Sequence, residues 1–265
     1  MTYTERTGDF VVSLNILGVE FYPITLSGAL HTIDWMLSRT DGCTRLVVTA
    51  NPVMVMIAQR DPEFMEILKK AHLIVPDGVG ILWAARKRGL KLPERVTGVD
   101  LATSLLKLRP SPRFFFLGGQ PGIAESARRN VERDNPGVQI CGTHHGYFSG
   151  EEEEKVVGII REARPDVLFV AMGSPRQEKF VWRNRKSLGA RVALGLGGVL
   201  DVLAGKTKRA PEFFQKAGLE WLYRLVREPR RIKNDILLFE FALRVYAESL
   251  GRGKRQKEGD EASAE

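Results

Sequence analysis

The chain has 265 residues, 43% of them hydrophobic, and a formal net charge of +8, enough for one large α/β domain or one domain with an appendage. The positive balance predicts an anionic partner: nucleic acid, a phosphorylated small molecule or a membrane surface. Two cysteines, Cys43 and Cys141, stand in no metal-like spacing, and there is neither a leader-like start nor an apolar run of about eighteen residues, which excludes a disulfide scaffold and a spanning helix and favours a reducing cytoplasm.

Residues 10–21 are apolar and β-branched enough for one or two short strands, broken near Asn15 and Gly18. Ser27 is placed to cap a helix to about Ser38, and residues 45–49 form the first buried strand, leading into Thr49, Ala50 and Asn51. Helical patterns follow over 53–59 and 62–70. The next strand is 73–75. Pro76 stops it, and Asp77 enters a turn flanked by Gly78 and Gly80 before a helix over 81–88. Asp77 then lies at the edge of the crevice beyond the strand ends, where open α/β sheets bind ligands. The alternative is an Asp that only caps the helix beginning near Val79.

A loop over 92–100 places the cation Arg95 between Pro93 and Gly98. A helix over 101–108 precedes the strand 113–117, RFFFL, whose unbroken apolar run predicts a buried parallel strand. Gly118, Gly119 and Gly122 then lead into a helix to about Arg133, a turn that brings backbone amides close to a phosphate or simply joins strand to helix. The strand 138–142 is followed by the loop HHGYFSG. His144 and His145 lack a third spaced ligand, so no metal site is expected there, whereas Tyr147 and Phe148 offer an aromatic wall for a base, packing being the commoner use of such residues. Residues 167–171 form a strand ending in GSPRQE, with Gln177 in the first turn of the next helix and facing the strand tips. The last strand, 191–194, carries Gly197, Gly198 and Asp201 at its tip. This alternation predicts a Rossmann-like, mostly parallel, doubly wound sheet flanked by helices.

Near Lys206 the pattern changes to helices opened by Pro211 and broken by Pro229. From Arg230 an amphipathic helix places Ile232, Ile236, Phe239, Leu243, Tyr246 and Leu250 on one face, widened by Leu237, Leu238, Phe241 and Val245. Residues 221–257 carry ten Lys and Arg against four Asp and Glu, whereas the tail from Glu258 is acidic. An apolar face within such a basic segment suits a membrane interface over packing. Nucleic acid is not the expected partner, because the basic residues alternate with apolar ones and not with exposed stacking aromatics. In water, self-association into a homo-oligomer would hide that face.

A carboxylate at a strand tip, with polar groups and arginines beside it, suits transfer from a diphosphate-activated donor. No Asp-x-Asp occurs, so arginines and not a divalent ion are expected to hold the diphosphate. Walker, G-x-S-x-G and HExxH motifs are absent.

The chain resembles the WecG/TagA/CpsF glycosyltransferases of bacterial cell-surface polymer synthesis. The resemblance runs from about Leu14 to Arg231 and rests on TAN at 49–51, PDG at 76–78, ERVTG at 94–98, FLGG at 116–119, GSPRQE at 173–178 and RAPEFFQKAGLEWLYRLVREPRR at 209–231. It implies inverting, metal- and cofactor-independent transfer of N-acetylmannosamine or a related hexose. The donor would be a UDP-sugar and the acceptor N-acetylglucosamine on a polyprenyl diphosphate, serving cell-surface polysaccharide or teichoic acid synthesis. By the same resemblance Asp77 matches the general base, Thr49 and Asn51 the contacts to donor sugar, and Arg95 and Gln177 further substrate contacts. Arg224 and Arg231 match arginines of an appendage that docks on the inner face of the cell membrane and completes the active site. Asn234 stands where a third basic residue is expected, with Lys233 and Arg230 nearby. The implied organisation is a catalytic domain over 1–208, a helical membrane-associating appendage over 209–252 and a disordered charged tail over 253–265. The alternatives are a non-catalytic nucleotide- or nucleic-acid-binding module and a soluble nucleotide-sugar epimerase.

Overall fold

The computed structural model describes residues 13–211, 213–214, 220, 223 and 236–249. β1 (Leu14–Ile16) and β2 (Val19–Phe21) pair as an antiparallel hairpin apart from the main sheet. Its turn falls at Leu17 and Gly18, both with positive φ. Asn15 does not break the strand as expected. It lies inside β1, and its side chain accepts the Gly18 N–H at 3.0 Å, closing the turn.

α1 (Leu26–Leu37) follows, capped by Thr25 and not by Ser27. The chain continues through β3 (Arg45–Ala50), α2 (Pro52–Ala58), α3 (Pro62–Lys70), β4 (Leu73–Pro76), α4 (Val79–Lys87) and α5 (Gly98–Leu106). The second half comprises β5 (Arg113–Gly118), α6 (Ile123–Asp134), β6 (Gln139–His144), α7 (Glu153–Ala163), β7 (Val167–Ala171), α8 (Arg176–Asn184), β8 (Val192–Gly195) and α9 (Val199–Leu203). His144 ends a strand and does not start a loop, and α5 begins three residues before its expected start, at Gly98. Residues 236–249 form a further helix.

The six-stranded sheet runs β4-β3-β8-β7-β5-β6, every neighbouring pair parallel. Successive side chains of a strand point to opposite faces, so strands covered on both faces read as continuous apolar runs. In β5, Phe115 and Leu117 face the core that holds α2, α3, α4, α7 and α8, while Phe114 and Phe116 face the core that holds α1, α5, α6 and α9. Connections that move towards β4 cross on the first face and those that move towards β6 cross on the second, the link from β4 to β5 doing so through α5 after α4 has packed on the first face, as right-handed crossovers require. The chain therefore leaves β3 and β8 towards opposite faces, and likewise β5 and β7. Crevices open at such points, beyond the carboxyl ends of the strands.

Residues 236–249 add to the first core. Phe241 and Val245 are 2% and 1% exposed and pack with Leu237 beside α4, where the Phe241 ring lies 3.8 Å from the position of a Cβ on Gly80. Arg60 and Arg88 hold Glu240 and Glu248 of this helix. Packing thus takes Leu237, Phe241 and Val245 of the residues expected to widen the apolar face. Ile236, Phe239, Leu243 and Tyr246, on the opposite side of the helix, remain exposed. Cys43 and Cys141 are both free thiols.

Candidate active site

The tips of β4, β3 and β8 stand side by side, and the loop 94–98 lies across them. Val96 N–H donates to the Pro76 carbonyl at 3.0 Å, pinning the loop to the end of β4, and Glu94 accepts from the Leu26 N–H at the start of α1. Thr97 then caps α5 by accepting from the Asp100 N–H at 3.1 Å. Gly98 opens that helix so close to β3 that a Cβ there would lie 3.2 Å from Thr49 Oγ1. The Thr49 hydroxyl, buried, donates to the Gly195 carbonyl at 3.2 Å across β3 and β8.

Asp77 projects into this junction. Its backbone N–H extends the sheet by donating to the Ala50 carbonyl at 2.9 Å, and its Oδ2 lies 3.4 Å from the Gly98 N–H. The capping alternative does not hold: the N-cap of α4 is Gly78, at φ 100°, and no side chain caps that helix. The carboxylate faces the first turn of α5 instead, where free N–H groups and the helix dipole favour negative charge. Asn51 is an N-cap, accepting from the Met54 N–H at 3.1 Å, which leaves its NH2 as the end that can meet a ligand.

Two arginines lie in the same region, each engaged by a carboxylate other than Asp77. Arg95 pairs with Glu220 at 3.4 Å, and Arg209 forks onto Asp100 with bonds of 2.6 and 2.8 Å. Burial pulls the Asp100 carboxyl upward, but the Arg209 fork, the Thr97 hydroxyl and the nearby charges of Arg209 and Arg95 hold it below the ordinary carboxylate range. The Arg209 charge is in turn stabilised by Asp100 first, then by Glu220 and Asp77. Asp100, Arg209, Thr97 and Gly98 were not singled out from the sequence. Their signal was there, because Asp100 closes the PERVTGVD stretch and Arg209 opens RAPEFF.

The remaining expected site residues fall elsewhere on the same edge. Gln177 is 2% exposed, with its carboxamide turned inward to Glu178 and the Gly197 N–H. Gly198 follows in that turn as the N-cap position of α9. Asp201 lies within α9, not at the strand tip, and pairs with Lys206 at 3.6 Å, which also reaches Gln120. Gly118 and Gly119 splice β5 to β7: the Gly119 N–H donates to the Ala171 carbonyl at 3.0 Å, so that amide serves the sheet. The Gly146 N–H donates to the Gly119 carbonyl at 2.9 Å, folding the loop that carries exposed Tyr147 onto the β5 tip. At a strand spacing of about 4.8 Å, Gly118, Gly119 and Tyr147 at the β5 tip stand roughly 19 Å along the sheet from Asp77, whereas Gln177 and Gly198 sit at the β8 tip, two strands from β4. Arg224 and Arg231, with Arg230, Lys233 and Asn234, lie outside the described residues, as does the tail 253–265. His144 and His145 adjoin, and among the described residues no three His, Cys, Asp or Glu are grouped to hold a metal ion.

The sequence profile of the Glycosyl transferase WecG/TagA/CpsF family matches residues 14–255. A Bacillus spizizenii protein named N-acetylglucosaminyldiphosphoundecaprenol N-acetyl-beta-D-mannosaminyltransferase is 40% identical over 187 residues, 70% of this chain and 72% of its own. A Staphylococcus aureus (strain MW2) protein of the same name is 32% identical over 234 residues, 88% and 91% of the two chains. Transferases are what this similarity identifies, which displaces the binding module and the epimerase. With one family profile matching nearly its whole length, and relatives at 40% and 32% identity, the chain belongs to the WecG/TagA/CpsF family and is a glycosyltransferase.

Proposed function

We propose that the enzyme transfers N-acetylmannosamine, or a related hexose, from a UDP-sugar to N-acetylglucosamine on a polyprenyl diphosphate, with inversion and without a metal ion. Both relatives are named as N-acetylmannosaminyltransferases acting on N-acetylglucosaminyldiphosphoundecaprenol, which supports the sugar and the acceptor. The observation that carries the reading is the Asp77 carboxylate at the β4 tip, 3.4 Å from the Gly98 N–H and close enough to Arg209 to help stabilise its charge. In this reading Asp77 takes the proton of the acceptor hydroxyl as its oxygen attacks the anomeric carbon. Attack comes from the face opposite the diphosphate, so configuration inverts. The bond from that carbon to the diphosphate oxygen breaks, and its electron pair leaves with UDP. Arginines neutralise the departing charge: Arg95 from the catalytic domain, and Arg209, Arg224 and Arg231 from the appendage. The nucleotide extends along the ledge towards Gly118, Gly119 and Tyr147.

The acceptor is lipid-linked, so the enzyme works at a membrane surface, which we take to be the inner face of the cell membrane. Among the described residues no helix is long and apolar enough to span a bilayer. The exposed stripe on 236–249 is suited to the interface, with Arg244 on the same helix and Lys87 5.9 Å from the centre of the Tyr246 ring.

Turnover of a panel of UDP-sugars with a short-chain lipid-diphosphate N-acetylglucosamine acceptor, in EDTA, tests the reading. Wild-type transfer should survive EDTA, and Asp77→Asn should lower kcat by about 10²–10⁴ with UDP affinity nearly kept. Equal loss of UDP binding and rate would remove Asp77 from the role of base. Activity lost in EDTA and restored by a divalent ion would overturn the metal-independent route, and transfer from no donor would overturn the substrate assignment.

A further inference from the structure

Glu178 is fully buried in the first turn of α8, and no cation is paired with it among the described residues. Its Oε1 accepts from Gln177 Nε2 at 2.7 Å, and Gln177 Oε1 accepts from the Gly197 N–H at 3.0 Å. The amide orientation follows from these partners, since a flipped Gln177 would set its NH2 against the Gly197 N–H. The pair lies directly under the end of β8. A Cβ at Gly195 would stand 2.7 Å from Glu178 Oε1 and 2.9 Å from Gln177 Nε2, so glycine is the residue that fits above them. Gly195 also supplies the carbonyl that takes the Thr49 hydroxyl. Beyond it Gly197, at φ 55°, and Gly198 form a turn with little stiffness of its own.

We propose that Glu178 is a positioning residue: it orients the Gln177 carboxamide, and Gln177 in turn holds the turn 195–198 in register with Thr49 at the donor end of the site. Gln177 acts from below this turn and does not need to touch the substrate. Burial raises the proton affinity of the Glu178 carboxyl, against the weaker pull of the Gln177 amide, its own backbone N–H and the Ser174 hydroxyl. Its second oxygen and the Ser174 hydroxyl are buried without a hydrogen bond of normal geometry. A buried acid in so few contacts is a costly way to fill space, and is explained by the acceptor it presents to Gln177.

The kinetic consequence rests on the proposed donor site, so two readouts are needed: steady-state kinetics with the UDP-sugar and acceptor, and amide exchange at Gly197. Glu178→Leu, folded by its thermal transition, should raise donor KM about tenfold, the worth of one buried hydrogen bond, with kcat nearly kept. It should speed exchange at Gly197 by a similar factor. Glu178→Gln keeps the acceptor oxygen and should do less. Gln177→Glu sets two carboxyl groups face to face and should be as damaging as Glu178→Leu. The exchange of the two residues, Gln177→Glu with Glu178→Gln, restores a donor facing an acceptor and should recover KM and Gly197 protection. Should Glu178→Leu fail to fold, the single and double exchanges decide alone. Wild-type KM and wild-type Gly197 protection in Glu178→Leu, or a double exchange no better than Gln177→Glu, would overturn the proposal. A wild-type enzyme idle with every UDP-sugar would sink the donor reading alone, and Gly197 exchange would still judge the strut.

Discussion

Asp100 and Arg209 join two stretches of chain that are 109 residues apart. Because the folded Asp100 carboxyl is held below its ordinary range, the unfolded chain binds its proton more readily. The pair's stabilisation is therefore complete above about pH 4, the unfolded value, and is lost as pH falls through the lower folded value. Asp100→Asn should cost about 1 kcal/mol at pH 7, a modest figure because solvent screens the open side of the pair. In urea unfolding, the difference from wild type should shrink towards pH 3. A difference that grows on acidification would contradict the pairing. At this scale the sequence revealed donors and acceptors but not partners. Asp77 and Asn51 stood out because each follows a buried strand, and Thr49 because it is the polar residue near the end of one, while Arg209 could be paired with Asp100 only after the chain had folded back across the sheet.

Among the elements, β5 was the most legible, since after Arg113 the run FFFL at 114–117 has no polar position for an exposed face. Its end shows what the pattern omits. At Gly118 a Cβ would lie 2.3 Å from the Ala171 carbonyl oxygen, and φ is 143°. Gly118→Ala should therefore destabilise the protein by about 2–4 kcal/mol, through steric overlap and backbone strain together. The urea midpoint measures this, and a near-neutral result would mean that the β5–β7 splice can open without cost. The start of α1 was misplaced by two residues for a related reason. Thr25 and Ser27 are both good caps, but Glu94 from a distant loop takes the Leu26 N–H and Thr25 takes that of Gly28. A tertiary contact chose between two adequate local signals.

Across the whole molecule, the helix 236–249 is apolar on two opposite sides, one facing the core and one facing out. Phe241→Ala removes a buried ring and should cost about 3 kcal/mol, loosening this helix in amide exchange. Phe239 and Leu243 are 71% and 70% exposed. Phe239→Glu with Leu243→Glu should leave thermal stability nearly unchanged while sharply reducing binding to anionic vesicles, and the wild-type binding should weaken with salt. Undiminished vesicle binding by the double variant would move the membrane contact elsewhere on the protein.

Local chemistry in the sequence determined the alternation of buried strands and helices, the delivery of Asp77 to a strand tip by PDG, and the helical period of the C-terminal segment. Tertiary structure alone decided the insertion of β8 between β3 and β7, which brings Gly195 against Thr49. It also set the inward turn of the Gln177 carboxamide, the meeting of Asp77 with α5, and the side of 236–249 that packs. The physical reason is one of range. Strand length, turn residues and periodicity are properties of a few neighbouring residues, whereas strand order and side-chain partners depend on which distant segments share a face, and chain separation does not encode that.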